Sequence, residues 1–340
     1  MKGLGALTGL YQSVINAKNY LYDEAYFQAF ELPIPVLSIG NITMGGTGKT
    51  PLTDFCLKYY LRKRIKTAVV SRNYRAQTQE ISKVDPARDD AANYFGDEPT
   101  MLAQKNPAVD VFVGPKKFET AQYVTEHRRP QLVIIDDGFQ HRKLHRDVDL
   151  VILDATESPE NYRCLPSGRA REPFKNLRRA TAIIITKTNL APAADVDRLI
   201  AKLKSDFAKP IFCFTYALVR LIPHGFAPPK MLTSCQGLRC HLISGIAKPQ
   251  SFQKGLMDFG LKIERNHTYE DHHVYSPADV EAIIAALKSA GNPEVITTEK
   301  DYVKLKTLWP KDTPLWVAPL EVQLLGREDA FYEILDQVLL

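Results

Sequence analysis

Short apolar runs recur along the first two-thirds of the chain. They are Val36-Leu37-Ser38-Ile39, Thr67-Ala68-Val69-Val70-Ser71-Arg72, Val109-Asp110-Val111-Phe112-Val113-Gly114, Gln131-Leu132-Val133-Ile134-Ile135-Asp136-Asp137, Asp147-Val148-Asp149-Leu150-Val151-Ile152-Leu153-Asp154 and Thr181-Ala182-Ile183-Ile184-Ile185-Thr186-Lys187. Each is apolar through its middle, as strands covered on both faces are. Helical segments separate them, Leu52 to Leu61 being the first to pack on the sheet. The pattern is therefore alternating β and α with a parallel sheet. A second half opens with Pro210-Ile211-Phe212-Cys213-Phe214-Thr215-Tyr216, where strand-like runs alternate with helices such as Ala278 to Ser289. That half reads as a second α/β unit, with a boundary near residue 213.

The first 32 residues follow another rhythm. Leu4, Leu7, Leu10, Tyr11, Val14, Ile15, Tyr20, Leu21, Tyr22, Tyr26, Phe27 and Phe30 recur at roughly helical spacing, with aromatics crowding the later part. There is no uninterrupted apolar run of the ~20 residues a spanning helix needs. Lys18, Asp23 and Glu24 interrupt the pattern, and no cleavage-site signature follows a short apolar core. Such an amphipathic helix suits a membrane-associating segment lying on a bilayer, and equally a helix packed on the body of the protein. The expected organisation is thus an amphipathic helix over 1–32, an α/β domain over 33–213 and a smaller α/β domain over 214–340.

Composition narrows the class. A chain of 340 residues with 45% hydrophobic and 24% charged residues is an ordinary globular protein, long enough for two cores. A net charge of +5 suits a phosphorylated substrate or an anionic membrane surface. No recognition motif accompanies it, so nucleic acid is not an expected partner. The five cysteines form no Cys-x-x-Cys pair, which points to a reducing, cytoplasmic compartment. Cys235, Cys240 and His241 lack a fourth ligand at metal-binding spacing.

Chemistry enters at Thr43-Met44-Gly45-Gly46-Thr47-Gly48-Lys49-Thr50, where a strand feeds a glycine-rich turn and then a helix. Glycines let the backbone wrap an anion, and the amides of the turn and helix start point at it. In that reading Lys49 reaches the outer phosphates and the Thr50 hydroxyl takes one position on Mg²⁺. The usual pattern has Gly where Thr43 stands. The loop resembles that of partitioning-type ATPases, which carry Lys where this chain has Met44. Asp136 and Asp137 end an apolar strand, where ligands bind in open α/β sheets, and either can hold Mg²⁺ or its water opposite Thr50. Phosphoryl transfer to an alcohol also needs a base; Asp97 and His272 are the candidates, although Asp97 before Glu98-Pro99 also suits a helix start.

Taken together, several segments resemble the tetraacyldisaccharide 4′-kinases, the lipid A disaccharide kinases of Gram-negative bacteria. They are Ser38-Ile39-Gly40-Asn41 with the loop, Gly96-Asp97-Glu98-Pro99, Asp136-Asp137-Gly138-Phe139-Gln140-His141, Arg171-Glu172-Pro173, Ser244-Gly245-Ile246-Ala247, Asp271-His272-His273 and Thr297-Thr298-Glu299-Lys300-Asp301. The resemblance implies ATP-dependent phosphorylation of the 4′-hydroxyl of a tetraacylated glucosamine disaccharide 1-phosphate, giving lipid IV-A at the cytoplasmic face of the inner membrane. It also implies a P-loop NTPase-like α/β/α fold, a second, smaller α/β/α domain joined by a β linker, and an active site in the cleft, in a monomer. Asp97 and His272 then act as a catalytic pair beside Lys49. Thr43 to Thr50, Gln140 and His141 contact ATP, and Glu98 joins Thr50, Asp136 and Asp137 around Mg²⁺. Arg72, Lys117, Arg171 and Glu172 face the substrate, with Arg171 and Glu172 either paired to one another or turned to the lipid.

Two departures stand out. Asn73 occupies a glycine position in Ser71-Arg72-Asn73-Tyr74, where Asn tolerates positive φ best among non-glycine residues. Lys116-Lys117 replaces an Asp-Arg pair, which keeps charge but loses the bidentate fork. The basic run Arg163, Arg169, Arg171, Lys175, Arg178 and Arg179 fits a phosphate or anionic headgroups, and equally a solvated face. From the loop alone two other classes remain: a nucleotide-switch ATPase of the partitioning or metal-insertion kind, and a kinase of a soluble small molecule.

Overall fold

The computed structural model describes residues 2–73 and 76–340. The chain begins with helix α1 (Lys2–Asp23), followed by β1 (Val36–Asn41), α2 (Lys49–Arg62), β2 (Thr67–Arg72), β3 (Ser82–Lys83), α3 (Ala91–Phe95) and α4 (Asp97–Lys105). Then come β4 (Asp110–Gly114), α5 (Lys117–Arg128), β5 (Leu132–Asp136), β6 (Val148–Asp154), β7 (Ala182–Thr186), α6 (Ala193–Asp206) and β8 (Ile211–Leu218). The second body contains β9 (Arg220–Pro223), β10 (Lys230–Met231), β11 (Arg239–Ser244), α7 (Pro249–Met257), β12 (Lys262–Thr268), α8 (Pro277–Ser289), β13 (Glu294–Thr298), α9 (Glu299–Leu305) and β14 (Trp316–Ala318). The chain ends with β15 (Leu320–Leu324) and α10 (Glu328–Gln337).

The larger sheet is nine-stranded, in the order β15-β8-β7-β6-β1-β5-β2-β4-β3. Its interior is parallel, and the edge strands β3 and β15 are antiparallel. The central strands β1, β5 and β6 are buried at every position, the continuous apolar signature of a sheet covered on both faces. The smaller sheet is six-stranded, in the order β10-β9-β14-β13-β11-β12; β14, β13, β11 and β12 run parallel, and β9 is antiparallel to both its neighbours.

The boundary expected at 213/214 falls inside β8, a strand of the large sheet. The chain leaves that sheet after Leu218 and returns at Leu320, where β15 pairs with β8 from Leu320↔Leu218 to Leu324↔Phe214. Apolar packing fixes the return: Phe331 of α10 is fully buried against Phe212, Phe214 and Phe55. Tyr60 Oη also donates to the Leu335 carbonyl at 2.8 Å. The first body therefore takes the last twenty or so residues, and two adjacent strand-to-strand crossings connect the bodies.

Of the turn with the Asn73 departure, the description reaches Asn73, whose Nδ2 donates to the Thr78 carbonyl at 2.8 Å; Tyr74 lies outside the described residues. Cys235 and Cys240 are buried in the apolar core of the second body, and His241 lies 3.3 Å from His267.

Candidate active site

The carboxyl ends of the parallel strands share one edge of the large sheet, where ligands gather in open α/β folds. From Asn41 the chain turns through Gly48, a left-handed residue with φ 91°, into α2. Asn41 Nδ2 braces the turn from inside, donating to the Thr43 carbonyl and the Thr47 hydroxyl at 2.8 Å each. The rim is tied to a neighbouring segment, since Met44 N–H donates to the Arg169 carbonyl at 2.8 Å and Thr43 bridges Ala170. Lys187 Nζ holds the Gly46 carbonyl at 2.8 Å, the Thr186 hydroxyl holds that of Thr47 at 2.9 Å, and Tyr216 Oη holds that of Gly48 at 2.7 Å. With these carbonyls engaged, the free amides opening α2 are the groups left for an anion. Met44, Gly45 and Gly46 are exposed, while Thr47 and Thr50 are buried.

Beside the loop, β5 delivers two carboxylates into different settings. Asp137, with φ 54°, receives a bidentate pair from Arg171 at 2.7 and 2.8 Å and has Lys49 Nζ at 3.7 Å. Burial works against its charge, but Arg171, Lys49 and Lys117 outweigh it and hold the carboxyl well below the usual range. Asp136 is buried deeper. Its Oδ2 accepts from Ser71 at 3.0 Å, its Oδ1 has no partner, and burial followed by the Glu98 charge pushes it up to about 6. A buried carboxylate oxygen without a donor, one helix residue's hydroxyl at Thr50 and a nearby Glu98 fit a Mg²⁺ ion, which binds through one or two carboxylates plus phosphate and water. Among the described residues no cluster of His, Cys, Asp and Glu cages a metal unaided.

The other half of the site comes from both bodies. Asp97 opens α4 after Gly96, which turns the chain at φ 97°. His272 stands 175 positions away on the loop between β12 and α8, with Nδ1 2.9 and 3.0 Å from the Asp97 oxygens. Burial disfavours the Asp97 charge, but the His272 hydrogen bond, Lys300 and Lys304 hold the carboxyl below its ordinary value. Lys300 also reaches towards Glu98 at 3.9 Å. Since Glu98 acts on Asp136, the charges form one connected field from the loop to the acid–imidazole pair.

The remaining expected residues divide. Gln140 Nε2 donates to the Asn41 carbonyl at 2.9 Å and its Oε1 is buried without a partner. His141 Nε2 accepts from Phe118 N–H at 3.2 Å; burial and Lys117 push it down to about 4, so it is neutral and braces α5. Lys117 is buried, its Nζ donating to the Asp137 carbonyl at 2.5 Å. Arg72 is exposed at the end of β2. Arg171 and Glu172 do not pair with each other. Arg171 turns to Asp137, whereas Glu172 is buried among Asn19, Asn176 and Arg179, whose Nη2 lies at 2.5 Å. Of the basic run, Arg163, Lys175 and Arg178 face outward, and Arg171 and Arg179 turn in.

α1 lies over the same segment with its polar side down. Tyr11 Oη donates to the Arg171 carbonyl at 2.9 Å, Thr8 meets the Ser167 hydroxyl at 2.6 Å, and Asn19 donates to Glu172. Leu4, Leu7, Leu10 and Val14 stand outward, each about half or more exposed. Tyr26, Phe27 and Phe30 extend that apolar surface beyond the helix. No helix among the described residues is long and apolar enough to cross a membrane.

The profile of the family described as tetraacyldisaccharide-1-P 4′-kinase matches residues 2–340. The chain belongs to this family. It is 44% identical over 336 residues to the tetraacyldisaccharide 4′-kinase of Bdellovibrio bacteriovorus, covering 99% of this chain and 98% of that one. With the enzyme of the same name from Pelodictyon phaeoclathratiforme it shares 36% over 307 residues, 87% and 84% of the two chains. Among solved structures, LpxK from Aquifex aeolicus in complex with ATP superimposes with a TM-score of 0.77 at 25% identity, covering 100% of this chain and 99% of that one. The sheet order and phosphate loop of this kinase family are thus of the P-loop NTPase kind.

Sequence reading passed over several residues of the site. Asp154 ends β6 as Asp136 ends β5, and its carboxylate holds Lys187 at 2.5 Å under the loop. The shared pattern, an apolar strand closed by Asp, was the available signal. Lys300 stood inside the Thr297-Thr298-Glu299-Lys300-Asp301 segment without an assigned role, and Lys304 carried no signal, because a lysine one helix turn on looks like any solvated surface.

Proposed function

We propose that the protein transfers the γ-phosphoryl group of ATP to the 4′-hydroxyl of tetraacyldisaccharide 1-phosphate, giving lipid IV-A, as a peripheral enzyme of the cytoplasmic face of the inner membrane. The observation that carries this reading is the 2.9 Å Asp97–His272 contact beside the phosphate loop. It supplies the acceptor base that phosphoryl transfer to an alcohol requires. Loop amides and Lys49 position the phosphates. Asp97 takes the hydroxyl proton late, and His272 orients its carboxylate. Thr50, Asp136 and Glu98 would hold Mg²⁺, which when bound neutralises charge on the phosphates. The switch-ATPase alternative draws no support from the relatives. Incubating the protein with labelled ATP, Mg²⁺ and detergent-dispersed tetraacyldisaccharide 1-phosphate tests the reading: labelled lipid is expected, and none from folded, ATP-binding protein would end it.

A metal-binding role for Asp136 carries a stability cost in the free protein. Its folded pKa, near 6, lies above the ordinary carboxylate value, so the fold favours the protonated form. The penalty is absent well below the unfolded pKa and grows as pH rises towards 6. Asp136→Asn removes it while keeping an acceptor for Ser71. The variant is expected to unfold later than the parent in chelator at pH 7.5, by on the order of 2–3 kcal/mol. At pH 4 the two should be nearly equal, and turnover should fall. Denaturant melts at the two pH values check this; equal stability at pH 7.5 would remove the unpartnered-carboxylate account.

Membrane association is argued from α1, whose polar face is already occupied and whose apolar face is not. Leu7→Glu, Leu10→Glu and Val14→Glu together should lower partition onto phospholipid vesicles at least about 10²-fold. The docking residues Thr8, Tyr11 and Asn19 are untouched, so kcat on detergent-dispersed substrate should stay within about twofold. Flotation with vesicles reads the first, and unaltered partition would refute the interfacial role.

A further inference from the structure

The acid–imidazole pair has a third neighbour whose chemistry restricts it. Lys300 is the second residue of α9. Its Nζ lies 3.1 Å from His272 Nε2 and 2.9 Å from Asp271 Oδ1, with Glu98 at 3.9 Å and Asp97 at 4.0 Å. Its side chain is 19% exposed. Burial works against its charge, but Asp97, Glu98 and Asp271 raise its pKa, so it is an ammonium. An ammonium offers donors only. Nε2 also has Asp271 Oδ2 at 3.8 Å, beyond hydrogen-bond reach; towards the nearer ammonium it presents its lone pair, which leaves the ring proton on Nδ1, against the Asp97 carboxylate.

We propose that Lys300 is a positioning residue for the phosphoryl transfer: its hydrogen bond to Nε2 fixes His272 as the Nδ1–H tautomer and aims that N–H at Asp97. The inference rests on the kinase reading for its kinetic part and on geometry alone for its tautomer part. In the other tautomer, the Nδ1 lone pair would face carboxylate lone pairs across 2.9 Å. The ring would turn away, and Asp97 would lose its orienting donor. The Lys300–His272 contact lies within the second body, and the N–H it aims crosses the cleft to Asp97 at the start of α4 in the first. His272 itself has φ 66°, a left-handed conformation uncommon for a non-glycine residue. Its N–H reaches the Gly245 carbonyl at 3.3 Å, so both its backbone and its ring are held. Lys304, one turn along α9, provides the contrast. Its Nζ is 3.8 Å from Asp97 and 3.3 Å from Asp301, so its nearest charged neighbours are carboxylates.

Full-length protein labelled with ¹⁵N-histidine tests this, with the His272 signals assigned by their loss in His272→Gln. At pH 7.5 the wild type should show a protonated Nδ1 and an unprotonated Nε2. Lys300→Met leaves Asp271 Oδ2, 3.8 Å from Nε2, as the polar group facing that nitrogen; it should shift the ring towards the Nε2–H form and lower kcat by about 10–10²-fold, with KM for ATP within about twofold. Lys300→Arg, which also only donates, should keep the Nδ1–H form and recover kcat to within about fivefold of wild type. Lys304→Met should leave the tautomer unchanged. A wild-type His272 protonated on Nε2 overturns the proposal, and so does a Lys300→Met protein that loses turnover with its tautomer intact. The wild-type spectrum and the Arg variant decide the matter even where Lys300→Met fails to fold. Because the tautomer is read without substrate, absence of lipid phosphorylation would remove the kinase reading and leave this result standing.

Discussion

Replacing Asp97 with alanine is expected to lower kcat by about 10²–10⁴-fold while ATP affinity changes no more than a few-fold. The asymmetry follows from where the carboxylate sits. Asp97 opens α4, whereas the phosphate cradle is built by the β1–α2 turn and braced by Asn41, Thr186, Lys187 and Tyr216. Asp97 instead meets His272, Lys300 and Lys304. At neutral pH the carboxyl is ionised, because His272, Lys300 and Lys304 outweigh its burial, and an ionised carboxylate can take a proton. His272→Ala should act in the same direction. As the two groups work as a unit, the double variant should lose little more than the worse single one, where independent groups would multiply their losses. Alanine at 97 also removes one of the two carboxylates near buried Lys304, leaving Asp301, so Asp97→Asn, which keeps the shape, is the stability control. Single-turnover rates with ATP titrations separate the outcomes. Lost ATP binding would assign Asp97 to metal or structure, and multiplicative losses would dissolve the pair.

What the residues disclosed unaided was the local chemistry. Apolar runs ending in acid located the parallel strands and their functional edge, because burial on both faces leaves an unbroken hydrophobic signature. Glycine spacing before Lys49-Thr50 located the turn between β1 and α2. Pairings over long distance were not visible. Leu320 to Leu324 reads as an edge strand whichever sheet it joins, so the return of the C-terminus to the first body was hidden. Arg171 and Glu172 suggested an ion pair by adjacency. They sit on a bend, and each found its partner elsewhere, Asp137 for one and Arg179 for the other. Asp97 and His272 were joined by family resemblance, not by any feature of spacing.

The two bodies therefore contribute unequally. The first holds the phosphate loop and both strand-end carboxylates; the second brings an imidazole and two lysines to a carboxylate it does not own. Besides the strand crossings at Val219 and Pro319, the bodies meet through a small apolar cluster of Ala92, Met101 and Val303 and through polar contacts. Lys105 of α4 lies 2.8 Å from Glu299, and Lys248 reaches Thr156 at 3.4 Å. Thr156 in turn donates to Asp154, which holds Lys187 under the loop. The relative placement of the bodies is thus tied on one side to the acid–imidazole pair and on the other to the cradle itself.

That dependence makes Gly48→Ala the most disruptive single methyl in the cradle, with ATP affinity expected to fall by more than about 10²-fold. Two separate obstacles add. Gly48 has φ 91°, which costs a side-chain-bearing residue about 1–2 kcal/mol. Its new Cβ would also lie 2.5 Å from Tyr216 Cε2 and 2.7 Å from Oη. The phenol cannot swing aside cheaply: Tyr216 is fully buried in the core, and its hydroxyl is committed to the Gly48 carbonyl at 2.7 Å. Relief must come from moving the loop, which re-aims the amides of Lys49 and Thr50 that an anion would meet. Overpacking of this kind costs about 1–3 kcal/mol of stability besides the backbone strain. A second substitution separates the two. Tyr216→Leu on its own opens space and loses a hydrogen bond; combined with Gly48→Ala it should recover the overpacking part of the melting temperature, because the clashing ring is gone. It should not restore ATP binding, since the left-handed backbone is still disfavoured and the carbonyl has lost its brace. Calorimetric ATP titrations with thermal melts on the four proteins of this cycle decide it. Full recovery of affinity in the double variant would mean that ring contact alone, and not the backbone of Gly48, sets the shape of the cradle.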